Sequence, residues 1–332
     1  MKFWRHQEQA RSATARLLWG FALAVLLLVA AVHGGLVLAW LGVSWLLGGN
    51  VPFPAGFAAV NIGMTLFLVL GGWWVETDQL RAGGLRLAER IGARAVRTER
   101  SLAEQAFANV VQELSIAAHM APPQAMVLPR TDAINAFAAG WDEEDAILAV
   151  TQGALDHLSR EELQGMVAHE LSHLHEGDTR LKMQLAGMVY GLELVYQFGE
   201  SMCECGGLLW WFGSVIKGAG FAGWLAGRWL KAAVSRQREY LADARAVQWT
   251  RSKEGLGGVL RKVMGQRQAA GYDPRRGQYA LDHHAVQHML LVDVQGSSRW
   301  AERLATHPAL PDRVRRIYGR TMPALALQQR DI

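Results

Sequence analysis

The run His169-Glu170-Leu171-Ser172-His173 carries the clearest chemistry in this sequence. Histidines at i and i+4 project from one face of a helix. That spacing lets two imidazole nitrogens share one Zn²⁺ ion. Glu170, one residue on, is placed to take a proton from water activated by such an ion. A hydrolytic zinc centre takes three protein ligands and keeps one position open, so a third ligand must come from elsewhere. Downstream, Arg238-Glu239-Tyr240-Leu241-Ala242-Asp243 offers Glu239 and Asp243, one helical turn apart. One carboxylate can bind the metal while the other orients a ligand imidazole. Spacing alone does not choose between them. One Zn²⁺ per chain is the expected cofactor.

The motif needs a helix, and the sequence supplies a start for one. Ser159 followed three residues later by Glu162 is a capping box. It opens a helix through Leu163, Met166, Val167 and Leu171 that ends near Gly177. Ahead of it, Ala125–Leu128, Ala133–Ala139 and Ala146–Thr151 read as short strands, with residues 140–145 as the turn between the last two. The expected fold class is mostly α with a small β-sheet (α+β). An N-terminal transmembrane helical hairpin precedes a zincin-type HExxH metallopeptidase domain.

Composition agrees with a membrane-bound chain. Of 332 residues, 51% are hydrophobic and 19% charged, against roughly 25% charged in soluble proteins. This excludes disorder and a collagen-like chain. Two cysteines exclude a disulfide scaffold, and a net charge of +4 is too small to argue for nucleic acid. From Leu17 to Val75 there is no Asp, Glu, Lys or Arg, enough for two spans of about 20 residues. The turn is Gly48-Gly49-Asn50-Val51-Pro52-Phe53-Pro54. The expected organisation is a tail at 1–16, a transmembrane hairpin at 17–75 and a metallopeptidase domain at 76–332. Within that domain, residues 183–230 form an apolar insertion interrupted by Glu193, Glu200, Glu204, Lys217 and Arg228. It reads as a second membrane hairpin or as two helices packed on the protein.

Arginine sets the orientation. Lys2, Arg5, Arg11 and Arg16 precede the first span, and six arginines from Arg81 to Arg100 follow the second. By the positive-inside rule both flanks, and with them the catalytic domain, are cytoplasmic. Arg86, Arg90 and Arg94 share a helical face that rests on anionic lipid or is solvated. Cys203 and Cys205 read as two reduced thiols. His175 reads as part of a polar helix end, with Asp178 bracing the turn after it, and His283, His284 and His288 as structural or surface residues.

Four segments, taken together, resemble the HtpX-like membrane zinc metalloproteases, whose wider relatives include the CAAX prenyl proteases. They are Asn135-Ala136-Phe137-Ala138-Ala139-Gly140, the His169–Asp178 run HELSHLHEGD, the Ser235–Asp243 run SRQREYLAD, and Thr306-His307-Pro308 followed by Arg313. The resemblance implies Glu239 as third ligand and Asp243 as its second-sphere partner. It further implies that Asn135 and His307 line the cleft, with Arg313 nearby. Asn135, Ala136, Phe137 and Arg313 are the expected substrate-binding residues, the first three through pairing of their strand with an extended substrate. Glu170 is the expected base, and His307 either faces the oxyanion or blocks the open zinc position.

The expected function is hydrolysis of peptide bonds in misfolded or unfolded membrane proteins, a quality-control role in a multi-pass protein of the cell (inner) membrane. The expected partners are polypeptide substrates and the bilayer. Two rivals stand beside it: a narrower processing protease for a defined or lipidated peptide, and a non-enzymatic membrane chaperone using the same cleft. Nothing in the sequence sets the oligomeric state.

Overall fold

A computed structural model describes residues 2–49, 51–269, 286, 289–292 and 307–327. Thr306 and the histidines at 283, 284 and 288 lie outside the described residues. The chain divides into two units, residues 1–79 with 184–231, and residues 80–183 with 232–332.

The first unit is helical. Helix α1 (Lys2–Leu46) runs unbroken, so residues 2–16 continue the first apolar run as one helix. It stops where Gly48 and Gly49 take positive φ, a conformation that costs glycine little. Helix α2 (Phe57–Leu80) follows. Leu18–Leu46 and Phe57–Leu80 are both long and apolar enough to cross a membrane. The unit also holds most of α7 (Asp178–Glu204) and the first part of α8 (Gly207–Thr250).

These four helices meet over small residues. A Cβ on Gly191 of α7 would lie 2.2 Å from the Val69 carbonyl of α2, and one on Gly223 of α8 would meet Leu28 of α1 at 2.9 Å. Near the other end, Phe212 of α8 stacks on Trp40 of α1 with ring centroids 6.4 Å apart. Close backbone approach over glycine is how helices pack where apolar burial gives no driving force. One polar pair forms between α1 and α2: His33 Nδ1 lies 2.9 Å from Asn61 Oδ1.

The second unit surrounds a four-stranded sheet in the order β1-β2-β4-β3. The strands are β1 (Arg94–Ala95), β2 (Gln124–Leu128), β3 (Ala136–Ala139) and β4 (Ile147–Thr151). The pair β2/β4 is parallel, and β1/β2 and β3/β4 are antiparallel. The two-residue β1 is too short to leave a period in the sequence, and it was not expected. Around the sheet lie α3 (Gly83–Arg90), α4 (Leu102–Ala118), α5 (Gln152–His157), α6 (Arg160–His175), α9 (Lys253–Gln268) and α10 (Leu310–Tyr318). Helix α3 ends at Arg90. Arg94 therefore leaves the expected arginine stripe, and its guanidinium pairs both ways with Glu104 at 2.8 and 2.9 Å.

Helix α6 is held as its sequence requires. Ser159 Oγ accepts from the Glu162 amide at 3.2 Å and Glu162 Oε2 accepts from the Ser159 amide at 2.7 Å, closing the capping box. The helix packs on α4, α9 and β3. A Cβ on Gly165 would lie 2.2 Å from the Leu256 nitrogen, so α6 and α9 meet backbone to backbone. Met166, Val167 and Leu171 enter a core shared with Phe107, Leu148 and Val259.

Candidate metal centre

Three elements bring the site together. Helix α6 carries His169, Glu170 and His173, and α8 carries Glu239 and Asp243. His307 precedes α10, which carries Arg313. The Nε2 atoms of His169 and His173 lie 3.2 Å apart. Glu239 Oε2 is 3.5 Å from His169 Nε2, and its Oε1 is 3.3 Å from His173 Nε2. One donor atom from each of the three lies within 4.8 Å of the others, and all three residues are buried.

The other ring nitrogen of each histidine settles what these atoms are. His169 Nδ1 sits 3.0 Å from Asp243 Oδ1, and His173 Nδ1 sits 3.0 Å from Asp178 Oδ2. A carboxylate at that distance keeps the ring proton on Nδ1 and leaves the Nε2 lone pair bare. Two bare lone pairs and a buried carboxylate then face one another. Such a set repels itself unless a cation sits among them, so the residues present fit a divalent metal.

Burial pushes the Glu239 carboxyl upward, but the neighbouring His307 imidazole, the Lys182 ammonium and the His173 ring outweigh it and hold the group well below the usual carboxylate range. Lys182 Nζ stands 3.6 Å from Glu239 Oε1. Asp243 is likewise lowered, burial being overcome chiefly by Arg313. The Arg313 guanidinium donates to Asp243 at 2.9 and 2.7 Å and to the Leu291 carbonyl at 2.7 Å. Despite complete burial it is held charged, by Asp243 first and then by Glu239.

Glu170 is 1% exposed. Neither of its oxygens has a hydrogen-bond partner among the described residues. A buried carboxylate kept without donors costs stability, which is expected only where it has work to do.

Asp243 meets the His169 ring, the contact expected of a carboxylate that orients a ligand imidazole. Other expected roles change with this geometry. Arg313 is fully buried behind Asp243. His307 is buried with Nδ1 3.0 Å from Glu239 Oε2, so it meets the expected ligand itself. Ala136 and Phe137 are buried on the edge strand β3, and Asn135 is buried just ahead of it. That edge is already taken by residues 290–292. Phe137 bridges Leu290, and Leu291 N donates to the Ala136 carbonyl at 2.8 Å. The Asn135 side chain donates to the Val292 carbonyl at 2.9 Å and accepts from its amide at 3.3 Å. Pairing of a substrate strand at Asn135–Phe137 therefore meets an edge that the chain itself occupies. No sequence period announced this, because the partner lies about 150 residues away.

Sequence reasoning also missed Lys182 beside Glu239 and the contact of Asp178 with His173. A lysine at the start of an apolar helix was the available signal for the first. His175 is exposed, its ring edge-on to Trp249, and Cys203 and Cys205 are free thiols.

Comparison with known proteins gives the family. Residues 101–321 match Peptidase family M48. A protein named Protease HtpX homolog from Dictyoglomus turgidum is 34% identical over 216 residues, covering 63% of this chain and 67% of its own length. Another of that name, from Desulfatibacillum aliphaticivorans, is 32% identical over 221 residues, with the same two coverages. A third, from Pyrococcus furiosus, is 27% identical over 302 residues, covering 86% of this chain and 94% of its own. No solved structure matches significantly. The chain belongs to peptidase family M48, as an HtpX-like metalloprotease with two helices able to cross a membrane.

Proposed function

We propose that this metalloprotease is a zinc endopeptidase with one Zn²⁺ per chain, held by His169, His173 and Glu239. The observation that carries the reading is the convergence of those three donors, with Glu170 unpartnered beside them. When bound, Zn²⁺ lowers the pKa of water towards roughly 7 and polarises a carbonyl. The chain's own groups do the rest. Glu170 accepts the proton of the attacking water and returns it to the leaving amine. His307 donates to the carbonyl oxygen as charge develops there. Arg313 keeps Asp243 ionised, and Asp243 keeps the His169 ring in place.

We read the first unit as a four-span membrane domain and the second as a cytoplasmic protease domain. Among the described residues, the large hydrophobics left exposed lie in the first unit except Leu85, Leu102, Ile116 and Leu241. They include Leu208, Trp210, Trp211, Phe221 and Trp229 of α8, which supports lipid contact for α8 as well as α1 and α2. The pair Lys217–Glu200, 2.9 Å apart, neutralises two of the charges of that second hairpin. Arginine on both flanks supports a cytoplasmic position for the protease domain. In a background lacking Cys203 and Cys205, a cysteine at Val51 should label from outside the cell and one at Arg97 should not; the reverse pattern overturns the orientation.

Misfolded or unfolded membrane proteins are the proposed substrates. The processing alternative gains from one observation: the β3 edge that would read a substrate's backbone is paired with residues 290–292. The deciding experiment digests unfolded membrane proteins and defined peptides side by side, using zinc-loaded full chain with Glu170→Gln as control. Broad cleavage abolished in the control supports quality control. Cleavage of one peptide class alone moves the reading to processing, and equal cleavage by the control overturns the assignment of Glu170.

A further inference from the structure

The two expected ligand histidines are braced differently. His169 leans on Asp243, which sits in the same helix as Glu239 and is clamped by the fully buried Arg313. His173 leans on Asp178, which comes from the start of α7. Asp178 lies five residues after His173. On a continuous helix that offset puts two side chains about 140° apart, on different faces. The chain instead breaks after α6, and Gly177 takes φ +70°. The break turns the first residue of α7 back onto the imidazole it has just passed. Both members of this contact are buried, with 2% and 4% of their side chains exposed. The other oxygen of Asp178 pairs with Arg238, the residue before Glu239 on α8. One carboxylate thus ties the helix bearing His173 to the helix bearing Glu239.

We propose that Asp178, held by Arg238, is a positioning residue for the metal, fixing the orientation and tautomer of His173 as Asp243 and Arg313 do for His169. The inference rests on the zinc reading given above. A carboxylate on the free nitrogen of a ligand imidazole raises its basicity and locks its ring, and loss of such a partner typically costs about 10–100-fold in metal affinity. The competing role is structural. An acidic residue in the first turn of α7 complements the helix dipole and satisfies free amides there.

Serine separates the two roles, because it caps a helix about as well as aspartate but is too short to reach His173. Zn²⁺ affinity of the purified full chain, measured by chelator competition, is expected to weaken about 10–100-fold in Asp178→Ser. Asp178→Asn, which keeps shape and an acceptor oxygen, should lie between that and the unsubstituted chain. The visible spectrum of the Co²⁺-substituted protein should shift in Asp178→Ser and recover largely in Asp178→Asn. Arg238→Gln alters a partly exposed partner and should move affinity the same way by a smaller factor. It decides the question if Asp178→Ser does not fold. Unchanged Zn²⁺ affinity and an unchanged Co²⁺ spectrum in Asp178→Ser, or in Arg238→Gln if that is the variant that folds, overturn the inference and leave Asp178 a turn brace. An unsubstituted chain that binds no Zn²⁺, or a His173→Ala chain that binds it undiminished, overturns the zinc reading instead.

Discussion

The two units treat apolar side chains in opposite ways. In residues 1–79 and 184–231, Leu26, Phe67, Trp74 and Trp229 point outward with more than half their surface exposed, while His33 and Asn61 pair between helices. In the other unit Phe107, Leu148, Met166 and Val259 are buried completely, and its most deeply buried charged or ionisable groups, His169, Glu170, Glu239 and Arg313, gather around one centre. The first pattern is stable only where the surroundings are apolar, since exposing that much hydrocarbon to water costs about 25 cal/mol per Å². The second is the ordinary economy of a water-soluble domain. The comparison teaches that the most deeply buried charge of the second unit collects where it can hold a metal, and that apolar exposure collects in the first unit, where it can meet lipid.

Four experiments test that division, from largest effect to smallest. Glu170→Gln should lower peptidase activity by about 10²–10⁴-fold, the usual worth of a general base. Zinc content and membrane extraction should stay as in the unsubstituted chain. Activity within a few-fold would remove Glu170 from the mechanism.

Phe67→Asp and Ile116→Asp compare the units directly. The two residues are almost equally exposed, at 71% and 75%. In the middle of a membrane helix the change should cost about 3 kcal/mol of insertion. On the surface of α4 it should stay within roughly 0.5 kcal/mol. Measured insertion and thermal stability check the pair, and equal effects would break the comparison.

His307→Ala should lower kcat about a hundred-fold with zinc retained, if the imidazole donates to the developing oxyanion. Raised basal cleavage would mean instead that His307 holds the enzyme latent.

The smallest effect is a pH dependence. The hydrogen bond from Arg94, working against partial burial, lowers the Glu104 carboxyl below its ordinary value near 4.5. A carboxyl lowered in the folded state contributes stability above its unfolded value, and that share is lost as pH falls through the folded one. Glu104→Gln should therefore cost about 1 kcal/mol at neutral pH, and less as the medium is acidified below pH 4.5. Acid titration of thermal stability reads it. A constant difference between the two proteins at every pH would exclude the linkage.

What was legible in the sequence was local. The His169–His173 spacing, the Ser159–Glu162 cap and the uncharged run from Leu17 to Val75 each express a rule that acts within one helical turn or one span. Glu239 and Asp243 were legible as a pair for the same reason, but their division of labour was not. Which carboxylate faces Nε2 and which faces Nδ1 depends on how α8 lies against α6. Strand β3 could be placed, yet nothing near Asn135 told that Val292 would hold its amide.

The sequence by itself determined the helix that carries both histidines, the two helices long and apolar enough to span a membrane, and the types of the metal donors. Periodicity, capping and hydrocarbon length act on contiguous residues. Only the tertiary structure decided the surroundings of the donors. Lys182 and His307 flank Glu239, Arg313 is sealed behind Asp243, and the break at Gly177 returns Asp178 to His173. Those contacts join residues brought together by the packing of α6, α7, α8 and α10, and electrostatics across such packing leaves no period to read.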